Sequence, residues 1–288
     1  MELFLLHRNE YLQHYNCDAK TDEEWWDEGV ANLTFGFYSL SIGILYISLY
    51  IPCLIVMKQA DLFRLSCFKL MFVLGIVDCC SVLINCFYSG VMSVIGGVAC
   101  PYINFNYIVG ALSIGNAVYM LTVLWFGRGC EFSSKANSFF FDPYFGIDME
   151  NVDRNYYEGY VMYANNVAAI TLLTSIYTLL LISLRLKIRQ AHSVRLTRLQ
   201  FQILLTALMI CFLTFVSAGM YVYMQLFYTP PWLIVAAQIT WQSSTGGAVF
   251  TYLALNHTIR QRVIFLIYGT RQIFSSTISP GRDATTNE

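Results

Sequence analysis

Charge is what this sequence has least of. Only 12% of its residues are Asp, Glu, Lys or Arg, while 57% are hydrophobic and mean hydropathy is +0.53. A soluble domain carries about a quarter charged residues, so a water-soluble surface is excluded. Enzyme signatures are missing too. No HExxH or GxSxG run occurs, which removes the common zinc and serine hydrolase chemistries. Nine cysteines contain no CxxC pair and lack a histidine at ligand spacing, so no metal or other cofactor is expected. Cys53, Cys67, Cys79, Cys80, Cys86 and Cys211 sit in or beside apolar runs and read as small hydrophobes. The start, MELFLLHRNEYLQHYNC, has an acid where a basic region is wanted and an apolar run too short for a signal peptide.

Long apolar runs are what the chain does have. Six are long enough to cross a hydrocarbon core, which takes roughly 20 residues. They cover residues 35–57, 70–94, 105–126, 159–184, 202–227 and 231–255. The fold class is therefore all-α, a polytopic transmembrane helical bundle. Residues 1–34 form an amino-terminal tail. Residues 256–288 form a carboxy-terminal tail that opens with the apolar, basic NHTIRQRVIFLIYG, suited to a short amphipathic helix on the membrane surface, and closes in a polar, disordered segment.

Lys and Arg set the orientation. Arg185, Lys187, Arg189, Arg195 and Arg198 make the loop after the fourth run cytoplasmic, and Arg260, Arg262 and Arg271 do the same for the tail. Lys58, Arg64 and Lys69 place the first loop inside, whereas GGVACPYIN and YTPP carry no charge and read as outside. The first 34 residues hold eight acids against Arg8 and Lys20, which suits an exported tail. Outside-to-inside needs an odd number of crossings, and six are found. The third run should leave Arg128 in the cytoplasm, yet the fourth must begin outside after Glu158. A crossing is missing between them, and SFFFDPYFG is too short and broken by Asp142-Pro143 to supply it. The alternative, both ends inside, puts Lys58, Arg64 and Lys69 on the wrong side.

At this point several motifs in order resemble the nematode serpentine chemoreceptors of class T. They are YNC with Trp25-Trp26, LYIPCLIVM, CFKLMFVLGIVD, LWFGRGCEF and FTYLALNHTIR, which run nearly the length of the chain. The resemblance implies a seven-helix receptor of the G-protein-coupled type with one span, the fourth, lost. It also implies a small-molecule ligand, a heterotrimeric G protein as partner, a plasma-membrane location in sensory cells, and no nucleic-acid partner. Departures are Gly127, where the family's Arg box has Asn, and the absence of the usual proline in the last span, where SSTGGAVFTY stands instead. The missing span reads as a real variation or an error of gene prediction, and impaired signalling is expected.

Candidate functional residues follow. Asp78 is the single acid inside a span, with Ser81 and Asn85 on its helical face. An intramembrane carboxylate marks either an activation switch or a structural hydrogen-bond node. Arg128 ends the third run as a coupling residue or an ordinary boundary charge. Tyr252, Asn256 and Arg260, one turn apart, resemble the receptor's activation motif and the start of its surface helix, with plain packing as the rival. Gln238, Gln242 and Thr245 form a polar stripe beside Trp241, and Asn165 and Asn166 open the fourth run. These are candidates for a ligand cavity or for interhelical glue. Cys17 and Cys100 both fall outside, which permits a disulfide. The segment 185–200 reads as a loop contacting a G protein or as a helix at the membrane edge. A transporter would need repeated halves and more than one intramembrane charge, and a channel a filter such as TVGYG or an Arg-bearing span. An intramembrane aspartyl protease needs two carboxylates. None is present, so a non-enzymatic receptor is the expectation.

Overall fold

The computed structural model describes residues 2–114, 129–149, 152–157, 159–190 and 198–278. It is an all-α membrane bundle with one small β-hairpin. The amino-terminal tail is folded into three short helices, α1 (Glu2–Leu5), α2 (Arg8–His14) and α3 (Asp22–Asp27). Thr21 and Glu24 start α3 with reciprocal side-chain-to-backbone bonds, which satisfy donors that a helix end leaves open. Helix α4 (Leu33–Met57) follows, capped by Asn32, whose side chain accepts from the Phe35 N–H at 3.0 Å. The Asn-Leu-Thr sequon at Asn32 is thus spent on a helix start.

After the short α5 (Ala60–Phe63), helix α6 runs continuously over Ser66–Ile95 with a π turn at Leu83–Tyr88. Helix α7 (Ile103–Ile114) comes next, then strands β1 (Glu131–Ser133) and β2 (Ser138–Phe140) in an antiparallel pair that sets Glu131 opposite Phe140. Asn137 adopts φ +53 in the connecting turn, a conformation asparagine tolerates. Helices α8 (Tyr160–Gln190), α9 (Arg198–Leu226), α10 (Pro231–Gly246), α11 (Ala248–Leu255) and α12 (His257–Ile278) complete the chain. Among the described residues, α4, α6 and the 208–226 portion of α9 are long and apolar enough to cross a membrane.

The core joins α4, α6 and the α10–α11 rod, and α8 packs on α9. Close approach depends on small residues, as expected where lipid removes any hydrophobic drive between helices. A Cβ on Gly246 would lie 2.1 Å from the Tyr46 ring, and one on Gly36 would lie 2.9 Å from the Gly90 carbonyl oxygen. The break between α10 and α11 falls at Gly247, in the stretch that lacks a proline.

Three differences from the sequence reading stand out. The hairpin was read as loop. The tail helix is 22 residues long, and its last residues, through Ile278, enter the segment read as disordered. The third difference bears on the missing crossing. Gly129 packs on Tyr107, where an added Cβ would come within 2.9 Å of the Tyr107 carbonyl oxygen, and the Cys130 thiol donates to the Gly110 carbonyl at 3.5 Å. The chain at residue 129 is therefore back beside the first half of α7, at the end that holds Cys100. The reading had put residue 128 at the opposite end of that span.

Candidate functional site

Two ends of the bundle differ in chemistry. At the hairpin end, the tail is fastened over the helices. A disulfide joins Cys17 to Cys100 with Cα atoms 5.5 Å apart. The Trp25 indole N–H donates to the Cys17 carbonyl at 2.8 Å, and the Tyr144 hydroxyl donates to the Asn16 carbonyl at 2.7 Å. Lys135, on the hairpin turn, meets Glu28 at 2.6 Å, and Lys20 takes the other oxygen of the same carboxylate. Hydrogen bonds from Lys135 and then Lys20 hold the Glu28 carboxyl down to about 2. The hairpin is tied to the neighbouring turn by Ser134 N–H to Gly97 O at 3.2 Å, and to the tail by Val30 N–H to Ser134 Oγ at 3.1 Å.

Glu131 lies inside this cap and was not singled out from the sequence. It is 1% exposed, and neither carboxylate oxygen has a hydrogen-bond partner among the described residues. Burial raises its carboxyl well above the usual range, and the nearby Asp142 adds to the rise. A carboxylate cannot stay ionised in such a site without a counter-charge.

Beneath the hairpin is a cavity of about 570 Å³. Its walls come from β2 and the following turn (Phe139 to Asp142, Phe145), the start of α8 (Tyr160, Tyr163), the end of α9 (Tyr221, Met224) and Trp241 of α10. Trp241 is fixed edge-on between Phe139 and Tyr221, with ring centroids 5.8 and 5.7 Å away. The volume falls within the range of small-molecule sites.

Of the residues proposed as cavity-lining, Trp241 is there. Gln238 is fully buried instead, accepting from the Ser138 hydroxyl at 3.3 Å and the Tyr221 hydroxyl at 3.2 Å, so it braces the hairpin from behind. Gln242 faces the opposite way. Its Nε2 donates to the Asn85 carbonyl at 2.7 Å and to Ser39 Oγ at 3.0 Å, joining α10 to α6 and α4. The π turn of α6 is where Asn85 sits, and such turns release a carbonyl from the regular ladder. Asn166 is buried and Asn165 half-buried, and neither lines the cavity. The aromatic pair one turn earlier, Tyr160 and Tyr163, does.

Lower in the bundle, the Tyr50 hydroxyl lies 2.9 Å from Asp78 Oδ2 and 3.0 Å from the Thr245 carbonyl oxygen. This node links the same three elements, α4, α6 and α10, as Gln242 does. Tyr252 is buried beside it, ring edge towards Tyr50 at 6.4 Å. At the far end Asn256 caps α12 by accepting from the Ile259 N–H at 3.2 Å, and Arg260 donates to the Ala254 carbonyl at 2.8 Å, closing α11. Arg262, not selected from the sequence as a site, pairs with Asp61 and donates to Gln59 Oε1 at 2.6 Å, pinning the tail helix to the α4–α6 connection. Arg128 lies outside the described residues.

With this arrangement in view, the comparisons with known proteins become specific. The family model described as serpentine type 7TM GPCR chemoreceptor Srt matches residues 1–118 and 114–276. The chain belongs to that family. Its members are chemoreceptors by description, and the chain is accordingly a multi-pass membrane protein of receptor type. Serpentine receptor class T-55 of Caenorhabditis elegans is 23% identical over an alignment of 316 residues that covers 97% of this chain and 86% of the relative. That alignment is longer than the 288 residues available by 28, so at least that many positions of the relative face a gap here. The family match breaks at residues 114–118, ahead of Gly129, which packs beside α7. No solved structure matches the chain at comparable significance.

Proposed function

We propose that this serpentine-type protein takes a small external chemical into the cavity beneath its hairpin, and that it couples weakly, if at all, to a G protein. The observation that carries the first half is the cavity itself, closed by the hairpin and walled by α8, α9 and α10. Charge supports the hairpin end being outside, and membership of a chemoreceptor family supports the plasma membrane of sensory cells as the location. Lys58, Arg64, Lys69, Arg260 and Arg262 gather at the other end. A ligand can shift the bundle only by binding one arrangement more tightly than another. The elements it would bias are the two polar nodes between α4, α6 and α10, which include Asp78, with Tyr252, Asn256 and Arg260 transmitting to the inner end.

The second half rests on the broken family match, the gap of at least 28 positions and the return of Gly129 to the side of Tyr107. Together they support a lost segment within 114–129, earlier than the sequence motifs suggested. On this reading Arg128 follows the lost segment in sequence and does not serve as the family's Arg box. The inner end of the third span, where a receptor meets its G protein, is then missing along with the fourth span. The test is to insert into this chain, at the break, the segment of the C. elegans relative that faces the gap. Ligand-independent nucleotide exchange on co-expressed Gα subunits is then compared at matched surface levels. The restored chain should exceed the native one, and equal exchange by both would remove the claim that the lost segment impairs coupling.

A further inference from the structure

The charged groups around the cavity are already engaged by the protein, and this limits what the cavity can hold. Nine of its fifteen lining residues are aromatic, so a ligand meets mainly ring faces and edges. The acid in the wall, Asp142, is spent twice over. One oxygen is paired with Arg154, and the other accepts from the Tyr144 N–H at 2.9 Å. Arg154 is in turn anchored on the Ile147 carbonyl at 2.7 Å and the Tyr144 carbonyl at 3.2 Å, so its charge points into the cap rather than the cavity. The Tyr157 hydroxyl donates to the His14 carbonyl and the Tyr221 hydroxyl to Gln238. The Gln225 amide is left as a polar handle in the lining.

From these engagements we infer that the cavity selects a neutral, ring-bearing molecule with one polar substituent, and excludes both amines and carboxylates of the same shape. An aromatic cage with an acid in its wall would ordinarily suggest a cation. Here the Arg154 guanidinium already occupies that acid, and a second cation would have to displace it or stay unpaired. An anion would face the ring quadrupoles and the paired Asp142. Either ion would lose hydration without gaining a partner. The inference rests on the proposed function only in taking this cavity as the ligand site.

Three probes with one ring system test it: 2-naphthalenemethanol, 2-naphthylmethylammonium and 2-naphthoate. Their binding to the full chain in nanodiscs is measured by equilibrium dialysis. Met224→Trp, which fills the cavity, sets the level of lipid partitioning, and Leu226→Trp serves as a second filler should the first fold poorly. The cavity-specific affinity of the alcohol should exceed that of each ion by at least ~10-fold. Asp142→Asn should change it by less than about threefold, a fraction of the ~1.4 kcal/mol that tenfold represents. Tightest binding by the ammonium, abolished by Asp142→Asn, overturns the inference while leaving the cavity as the site, as does tightest binding by the naphthoate. Equal binding of all three probes to the native and filled chains overturns the inference and the site together.

Discussion

Removing the Cys17–Cys100 bridge offers the most quantitative test of the folded cap. The bridge closes a separation of 83 residues. In the chain-entropy picture a loop of that length is worth ~4.5 kcal/mol. That figure is an upper one, since α4 and α6 contribute 25 and 30 residues that stay helical when a membrane protein loses its tertiary contacts. The flexible remainder of about 28 residues gives ~3.6 kcal/mol. For a chain of this size that translates to a fall in Tm of roughly 7–14 °C. The assay is thermal unfolding of the Cys17→Ser/Cys100→Ser variant in detergent, followed by a thiol-reactive dye that reports exposure of buried Cys53, Cys86 and Cys130. Native protein reduced beforehand, and freed of the reductant before the dye is added, should shift by a similar amount. A change below about 2 °C in both experiments would refute the claim that the tail is a structural part of the bundle.

Other expectations concern single side chains. Glu131 has its carboxyl raised by burial, so its contribution is fully present below the unfolded pKa of about 4.3 and is lost as pH rises through the folded value. Cap stability should therefore decline on raising pH, and Glu131→Gln should flatten that decline; an unchanged profile in unfolding curves across pH would contradict it. Glu28 behaves in the opposite sense. Held at about 2 by Lys135 and Lys20, it supports the cap above the unfolded value and stops doing so as pH falls towards 2, a slope that Lys135→Met should reduce. Tyr50→Phe removes a hydroxyl in contact with both Asp78 and the Thr245 carbonyl. At about 0.6 kcal/mol per interhelical bond, the loss should be ~1 kcal/mol, measurable by the same unfolding assay, and no loss would show the node to be slack.

What the sequence revealed and what it concealed divide along physical lines. Helices α4 and α6 were legible because a hydrocarbon core demands unbroken apolar runs, and Asp78 because a charge there is expensive. Gln242 was legible as part of a stripe, but its role was not. A polar side chain in a lipid-bathed bundle must find protein partners, so Gln238 and Gln242 went to Ser138, Tyr221, Asn85 and Ser39 rather than to a cavity. The cavity wall itself was hidden in plain sight. With 20 tyrosines and 21 phenylalanines in the chain, Phe139, Tyr160 and Tyr163 carry no signal that separates them from lipid-facing rings. Glu131 was overlooked because it adjoins Cys130 in a stretch taken for a cytoplasmic motif, and its burial depends on a hairpin that forms only against the tail.

The account depends on Gly129 and the hairpin lying at the same, external end as Cys100. The direct measurement is labelling of Lys135→Cys, at the hairpin turn, with a membrane-impermeant maleimide on intact cells, with the native chain as the blank. Labelling without permeabilisation is the result this account predicts. Labelling that appears only after permeabilisation would place the hairpin and the amino-terminal tail fastened to it inside, and the external cavity would go with them.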